Sequence, residues 1–471
     1  MIRTLTLFTC LLLSFKLFSQ NKFQQKLDSV FSMMNTQNQF SGTVLIAEGG
    51  KIIFTKGYGY QDLHLTNKNT SETIYELASC SKQFTAGAIV LLHRAGKLRY
   101  EDNLSKFIPE LSLWGTVTIY DLLRHTSGIP EYLIDMSAGW DHNKIATNDD
   151  LSNFYASKKD TLMFVPGSRH SYCNTNYALL ATIISRVSGM SLAEFSKKNI
   201  FLPLKMDHTF IYNSRQDPQK IPNRATGYVW MKSSFERITS ENPDYGDSLV
   251  YYLDGIVGNA KVNSSALDVF KWVTALKNNT FFTLEEFILM TSATKTPTGK
   301  SIPYGFGLDL SGSRENLSFG HTGSWDGYST FIYHNMRSDR TIITLQNFKM
   351  GAYPFKTINQ ILDQKPIGIE YAKKVSLPRP EIEKYAGIYT NKNNDAEQHE
   401  ITFLDGYLIY NTKAIKWDMR FFPVSKNQFK AIRQGGSDGE LRFSDLENGI
   451  IKLEILQSGK SIGTSLKSKN H

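Results

Sequence analysis

Ser79 and Lys82, in the run Leu77-Ala78-Ser79-Cys80-Ser81-Lys82-Gln83-Phe84, place a hydroxyl and an amine three residues apart. On a helix, residues three apart are surface neighbours, so the amine comes within hydrogen-bond reach of the hydroxyl. An amine whose pKa is lowered by burial can take the serine proton, which is what a nucleophilic serine needs. The spacing also puts the serine at a helix N-terminus, where orphan N–H groups favour negative charge. The same pair recurs at Ser19/Lys22 and Ser292/Lys295. Only Ser79 is followed by Phe84, Ala88, Leu91 and Leu92 at the spacing of a buried helix.

Two further constellations could work with that pair. Tyr172-Cys173-Asn174 precedes a run in which Leu180, Ile183, Ile184 and Val187 share one helix face. His321-Thr322-Gly323 lies between Leu317–Gly320 and Trp325–Phe331, which predicts a strand, a glycine-punctuated opening and a second strand. Tyr-x-Asn also occurs at Tyr333/Asn335 and Tyr389/Asn391, where strand ends account for it.

With Ser79, Tyr172 and His321 in that order, the chain resembles the serine β-lactamase, DD-peptidase and esterase superfamily, especially its AmpC-like class C branch. The resemblance spans roughly residues 22 to 365 and includes Gly42–Ala47, Leu122–Ile129, Pro203–Met206 and Tyr304–Gly307. It implies that Ser79 is the acylated nucleophile, Lys82 the amine that eases its deprotonation, and Tyr172 the proton shuttle to the leaving group. A tyrosine has a free pKa of about 10, so neighbouring cations would have to depress it for base work. By the same resemblance Asn174 holds the Lys82 amine and the substrate amide, and His321, Thr322, Gly323 and Ser324 line the substrate. The oxyanion hole would be the N–H groups of Ser79 and Ser324. His321 stands where such enzymes often carry lysine, so positive charge is not guaranteed at neutral pH. The expectation is a peptidase or esterase acting on a small acyl substrate, such as a D-amino-acid peptide or ester. β-Lactam hydrolysis is the alternative, and a penicillin-binding sensor with little turnover the second.

The elements that must position these residues follow from patterning. Phe23, Leu27, Val30, Phe31 and Met34 predict an opening helix, and Gly42–Ala47 with Lys51–Lys56 a hairpin about Gly49-Gly50. Helical patterns fill the middle of the chain, with Ser191–Glu194 a capping box. Strands return from Tyr304 to Gln346 before a helical pattern over Phe355–Leu362. This is an α+β fold class: an antiparallel sheet flanked by helices plus a helical lobe, β-lactamase/transpeptidase-like by the resemblance. Beyond the proline-containing stretch 376–380, short strands broken at Asp405-Gly406 and Asn448-Gly449 predict a small all-β barrel, similar to a lipocalin-like accessory domain. Expected boundaries are a signal peptide at 1–19, a hydrolase domain at 20–370, a linker at 371–380 and the barrel at 381–471.

At 471 residues, with 41% hydrophobic and 12% aromatic residues, the chain has material for two cores. Its net charge of +9 is scattered, which argues against a nucleic-acid partner. Arg3 followed by the mostly apolar Leu5–Leu17 reads as a secretory leader, too short for a comfortable membrane span. The protein is therefore expected to be secreted or periplasmic, with no stable membrane span after leader cleavage. No metal or cofactor site is expected, and the partner is a small-molecule or short-peptide substrate. Cys80 and Cys173, at the middle of two motifs, read as small buried fillers.

Overall fold

The computed structural model describes residues 23–231, 236–367, 374–412, 419–432, 438–446, 449–457 and 459–467. The leader at 1–19 lies outside them, as do linker residues 371–373. The chain divides into two compact units, Ser41–Trp230 with Arg237–Lys349, and Met1–Phe40 with Met231–Glu236 and Met350–His471. Residues 23–40 and 350–367 thus group with the C-terminal segments.

The first unit is built on a six-stranded antiparallel sheet in the order Asp309–Ser311, Ser318–Trp325, Tyr328–Asn335, Arg340–Gln346, Gly42–Glu48, Lys51–Tyr58. The chain lays down β1 (Gly42–Glu48) and β2 (Lys51–Tyr58) first. Gly49 and Gly50 both take positive φ, the conformation a two-residue hairpin turn requires. After the helical lobe it returns with β10 (Asp309–Ser311), β11 (Ser318–Trp325), β12 (Tyr328–Asn335) and β13 (Arg340–Gln346). Every residue of β13 is buried, and β1 is buried along all but its last residue; Ile342, Ile343, Val44, Leu45 and Ile46 form their apolar centre. The outer strand β2 is mostly solvated and carries Lys51 and Lys56.

Between the two visits the chain forms the lobe. Helices α2 (Lys82–Arg94) and α6 (Asn174–Ser188) pack on each other and are buried through most of their length. Each presents its first turn, Lys82 on one and Asn174 on the other, to the same place. Around them lie α3 (Ile119–Arg124), α4 (Tyr132–Gly139), α5 (Asn148–Lys158) and α7 (Leu192–Ser196), three of them opened by capping boxes at Thr118, Thr147 and Ser191. A second small sheet orders β3 (Ile74–Glu76), β7 (Val262–Ser265) and β4 (Phe210–Ile211) as β3-β7-β4, tying the strand before Ser79 to the segment at 258–262.

In the other unit, residues 23–36 are helical, and a closed barrel of eight strands runs from Gly387 to Lys467. Tyr389, Phe421, Phe429 and Phe443 fill it with Leu408, Leu441 and Leu453. Tyr385 stacks on Phe443 at 4.2 Å. Side chains thus occupy the space where a larger barrel would hold a ligand.

Arg124 holds the lobe to the segment that carries Tyr304. Its buried guanidinium donates to three backbone carbonyls, Ser292 (2.6 Å), Leu289 (3.0 Å) and Tyr304 (3.0 Å). It also lies over the rings of Tyr120 and Phe306. Arg124→Met leaves those carbonyls without donors, and each unmet buried group costs about 1–3 kcal/mol. Urea unfolding should show a lower midpoint at unchanged slope, a loss of about 3 kcal/mol or more. An unmoved midpoint would mean the carbonyls find other donors.

Candidate active site

Ser79 sits in a short 3₁₀ turn, Ala78–Ser81, between β3 and α2. Ala78 has φ +48, a left-handed conformation that disfavours an L-residue by about 1–2 kcal/mol. The peptide before it is clamped on both sides. Leu77 N donates to Val262 O at 2.7 Å, and Leu77 O accepts from Thr330 Oγ1 at 2.8 Å. Strand β11 closes on the same turn, and a Cβ placed on Gly323 would lie 2.4 Å from Leu77 O and 3.1 Å from Ser79 N. Only glycine permits that approach, which sets the Ser79 N–H beside the peptide carrying the Ser324 N–H.

Here the structure departs from the expected opening at His321-Thr322-Gly323. Strand β11 runs unbroken from Ser318 to Trp325, and the turn comes later, at Asp326-Gly327, both with positive φ. Gly323 serves close approach rather than chain reversal. Strand β10 pairs only with Ser318, Phe319 and Gly320, so from His321 onward no strand covers that edge among the described residues. The side chains of Thr322 and Ser324 are exposed along it.

Lys82 is fully buried, and its Nζ meets three acceptors: Asn174 Oδ1 at 2.8 Å, Asn259 O at 3.0 Å and Ser79 Oγ at 3.1 Å. Burial pulls the amine down to about 7, against the opposing fields of Glu131, Cys80, Cys173 and Asp309. A neutral amine has two N–H bonds and one lone pair. The carbonyl of Asn259 and the amide oxygen of Asn174 can only accept, so they take the two N–H groups and leave the lone pair toward the serine. The Asn174 orientation is itself determined, because its Nδ2 and backbone N donate to Glu131 Oε2 at 3.1 and 2.7 Å.

Tyr172 stands against the Ser79 hydroxyl, its ring 4.9 Å from Lys82 Nζ. The residue is 40% exposed, yet burial of its hydroxyl end lifts the phenol above the usual tyrosine value, against the hydrogen bond with Ser79. The charged groups that chiefly act on it, Asp309 and Glu131, raise it as well. The group poised at neutral pH is the lysine, and the tyrosine stays a proton donor. His125 packs beneath it with ring centroids 4.4 Å apart. His125 Nδ1 accepts from Cys173 N and Asn176 Nδ2, and burial keeps the ring neutral.

His321 is 5% exposed, and both its ring nitrogens are engaged. Nδ1 faces Thr322 O at 2.6 Å and must donate, so Nε2 accepts from the Tyr304 hydroxyl at 3.0 Å. Burial lowers its pKa further, and the ring is neutral. The sequence reading gave His321 a direct substrate contact, whereas here it braces Tyr304 and offers no free nitrogen. Cys80 and Cys173 are buried and unbridged, their thiols on the carbonyls of His321 and Ile129 and pushed up to about 12 by burial. Ser79, Lys82, Tyr172, Asn174 and the His321–Ser324 strand therefore meet in one place. Sequence reasoning missed Glu131, Asn259 and the roles of His125 and Tyr304, although Leu122–Ile129 and Tyr304–Gly307 stood out as stretches.

The family model described as Beta-lactamase matches residues 22–362. The chain belongs to the β-lactamase family. It is 34% identical over 419 residues to penicillin-binding protein 4* of Bacillus subtilis (strain 168), covering 87% of this chain and 92% of that protein. The octameric penicillin-binding protein homologue from Pyrococcus abyssi superposes with a TM-score of 0.61 at 24% identity, covering 95% of this chain and 99% of the other. D-amino acid amidase from Ochrobactrum anthropi SV3, complexed with L-phenylalanine amide, superposes with a TM-score of 0.58 at 19% identity over 73% and 97%. Membership makes this family member a serine hydrolase. Among the described residues no single helix is long and apolar enough to cross a membrane.

The Glu131 carboxylate holds the Lys82 pKa up, so its removal should let that pKa fall. The amine must be neutral to act as a base, so acylation should rise with pH through about 7 in the parent. In Glu131→Gln the midpoint of that rise should move lower, by about one unit, the usual scale for losing a nearby opposite charge. The pH dependence of fluorophosphonate labelling measures it, and an upward move would contradict the assignment.

Proposed function

We propose that the protein is a peptidase or esterase that passes a small acyl group through an ester on Ser79. One observation carries this reading: the Lys82 amine is pinned by Asn174 Oδ1 and Asn259 O so that its lone pair faces Ser79 Oγ. As Ser79 attacks the substrate carbonyl, its proton passes to Lys82. The Tyr172 hydroxyl protonates the departing amine or alcohol and recovers a proton from the Lys82 ammonium. The N–H groups of Ser79 and Ser324 receive the oxyanion; losing one such donor typically costs about 10²–10³ in rate. Water then enters by the same steps in reverse.

The charges around the nucleophile support a preference among acyl substrates. His321 is neutral and fully engaged, so nothing at that position offers a substrate carboxylate a cation. The fields of two carboxyl groups raise both Lys82 and Tyr172: Glu131, which also holds Asn174, and Asp309, which pairs with Gly320 where the β11 edge opens. That field favours amides and esters of neutral or ammonium-bearing acyl groups, such as D-amino-acid derivatives, over β-lactams and peptides ending in a carboxylate. The name of the Bacillus subtilis relative favours a second reading, acylation by penicillin. The leader-like residues 1–19 support export from the cytoplasm.

Three chromogenic substrates compare these readings: a D-amino-acid p-nitroanilide with a free amine, its N-acetyl derivative and a cephalosporin. The first should have the highest kcat/KM and the cephalosporin the lowest, with the adduct on Ser79 and none in Ser79→Ala. Fastest turnover of the cephalosporin would favour β-lactam hydrolysis, and labelling that survives in Ser79→Ala would remove the nucleophile.

A further inference from the structure

We infer that Lys261 is a positioning residue for the proton-transfer step: its left-handed backbone, held by a buried ion pair, aims the Asn259 carbonyl at Lys82. This rests on the reading of Ser79 and Lys82 given above. The segment 258–262 touches the nucleophile's turn and helix through three of its residues. Gly258 O accepts from Thr85 Oγ1 at 2.7 Å, Asn259 O from Lys82 Nζ at 3.0 Å, and Val262 N donates to Ser81 Oγ at 3.0 Å. Val262 O closes the set on Leu77 N, next to the strained Ala78. Within this segment Lys261 has φ +81, a conformation that a non-glycine residue adopts only when its surroundings impose it.

What imposes it is charge buried away from water. Lys261 Nζ lies 2.7 Å from Asp254 Oδ1 and 3.8 Å from Glu76, with all three side chains almost wholly buried. Burial pulls the Lys261 amine down, but Glu76, Asp254 and Asp326 outweigh it and the group stays cationic. Asp254 is held in turn by the backbone N–H groups of Arg215 and Gln216, and the Arg215 guanidinium grips Asp326 in the β11–β12 turn at 2.6 and 2.9 Å. The pair is thus anchored to both walls of the site. If residue 261 relaxed to negative φ, the carbonyl two residues earlier would swing off Lys82. The amine would then lose one of the two acceptors that direct its lone pair to Ser79.

Comparing Lys261→Gly with Lys261→Ala separates this role from plain stability. Both remove the amine equally, but only glycine keeps positive φ without penalty, a difference of about 5- to 30-fold in conformer population. Both variants are made on Asp254→Asn, which removes the carboxylate nearest the lost amine; Glu76 remains alike in both and does not distinguish them. In the glycine protein, fluorophosphonate acylation should stay within about threefold of Asp254→Asn, with the same acid limb. In the alanine protein it should fall about tenfold. Its acid limb should also move about one unit lower, because the ammonium has lost an acceptor. Glu131, Asp309, Cys80, Cys173, His125, His321 and the Tyr172 and Tyr177 rings, the other groups acting on Lys82, are unchanged in both. Identical rates and acid limbs in the two variants, whether preserved or impaired, would overturn the inference. Loss of Ser79 labelling in the parent protein would instead undo the underlying mechanism.

Discussion

The site depends on one desolvated amine. A lysine in water is a cation and no base at neutral pH. Removed from water it falls from the ordinary lysine value to about 7, held from falling further first by the field of Glu131, and three acceptors surround it. The surrounding structure arranges those acceptors. Glu131 turns the Asn174 amide, the segment 258–262 presents the Asn259 carbonyl, and the strained turn at Ala78 brings the Ser79 hydroxyl to the remaining position. Packing of α2 on α6 excludes the water that would restore the cation.

The same principle decides the other titratable groups, with opposite sense for acids and bases. Burial raises the Tyr172 phenol and the two thiols, so they keep their protons. It lowers His125 and His321, so they remain neutral. Proton acceptance near neutral pH thereby falls to Lys82. That division of labour differs from the cation-depressed tyrosine that base work by Tyr172 would require.

Much of the frame was legible in the chain. Apolar periodicity and turn residues located the β1–β2 hairpin at Gly49-Gly50, the helices from Lys82 and Asn174, and the barrel strands about Asp405-Gly406. These elements are determined by local patterning and burial. Ser79, Lys82, Tyr172 and Asn174 were legible because each stands in the first turn of an apolar helix or just before it. Gly323 was misread as a break, because a glycine used for close approach looks the same in sequence as one used for a turn. Glu131, Asn259 and Lys261 carried no local signal. Asn259 acts through its backbone carbonyl, and Glu131 and Lys261 through partners that only the fold brings near.

The most direct test of the central claim is the protonation of Lys82 itself. In protein labelled with ¹³C at lysine Cε, the Lys82 signal is assigned by its absence from Lys82→Arg and followed across pH. It should titrate with a midpoint near 7, well apart from the solvent-exposed lysines. A midpoint near the ordinary lysine value of about 10.4 would contradict the account, because the amine would then be a cation throughout the working range and no base for Ser79.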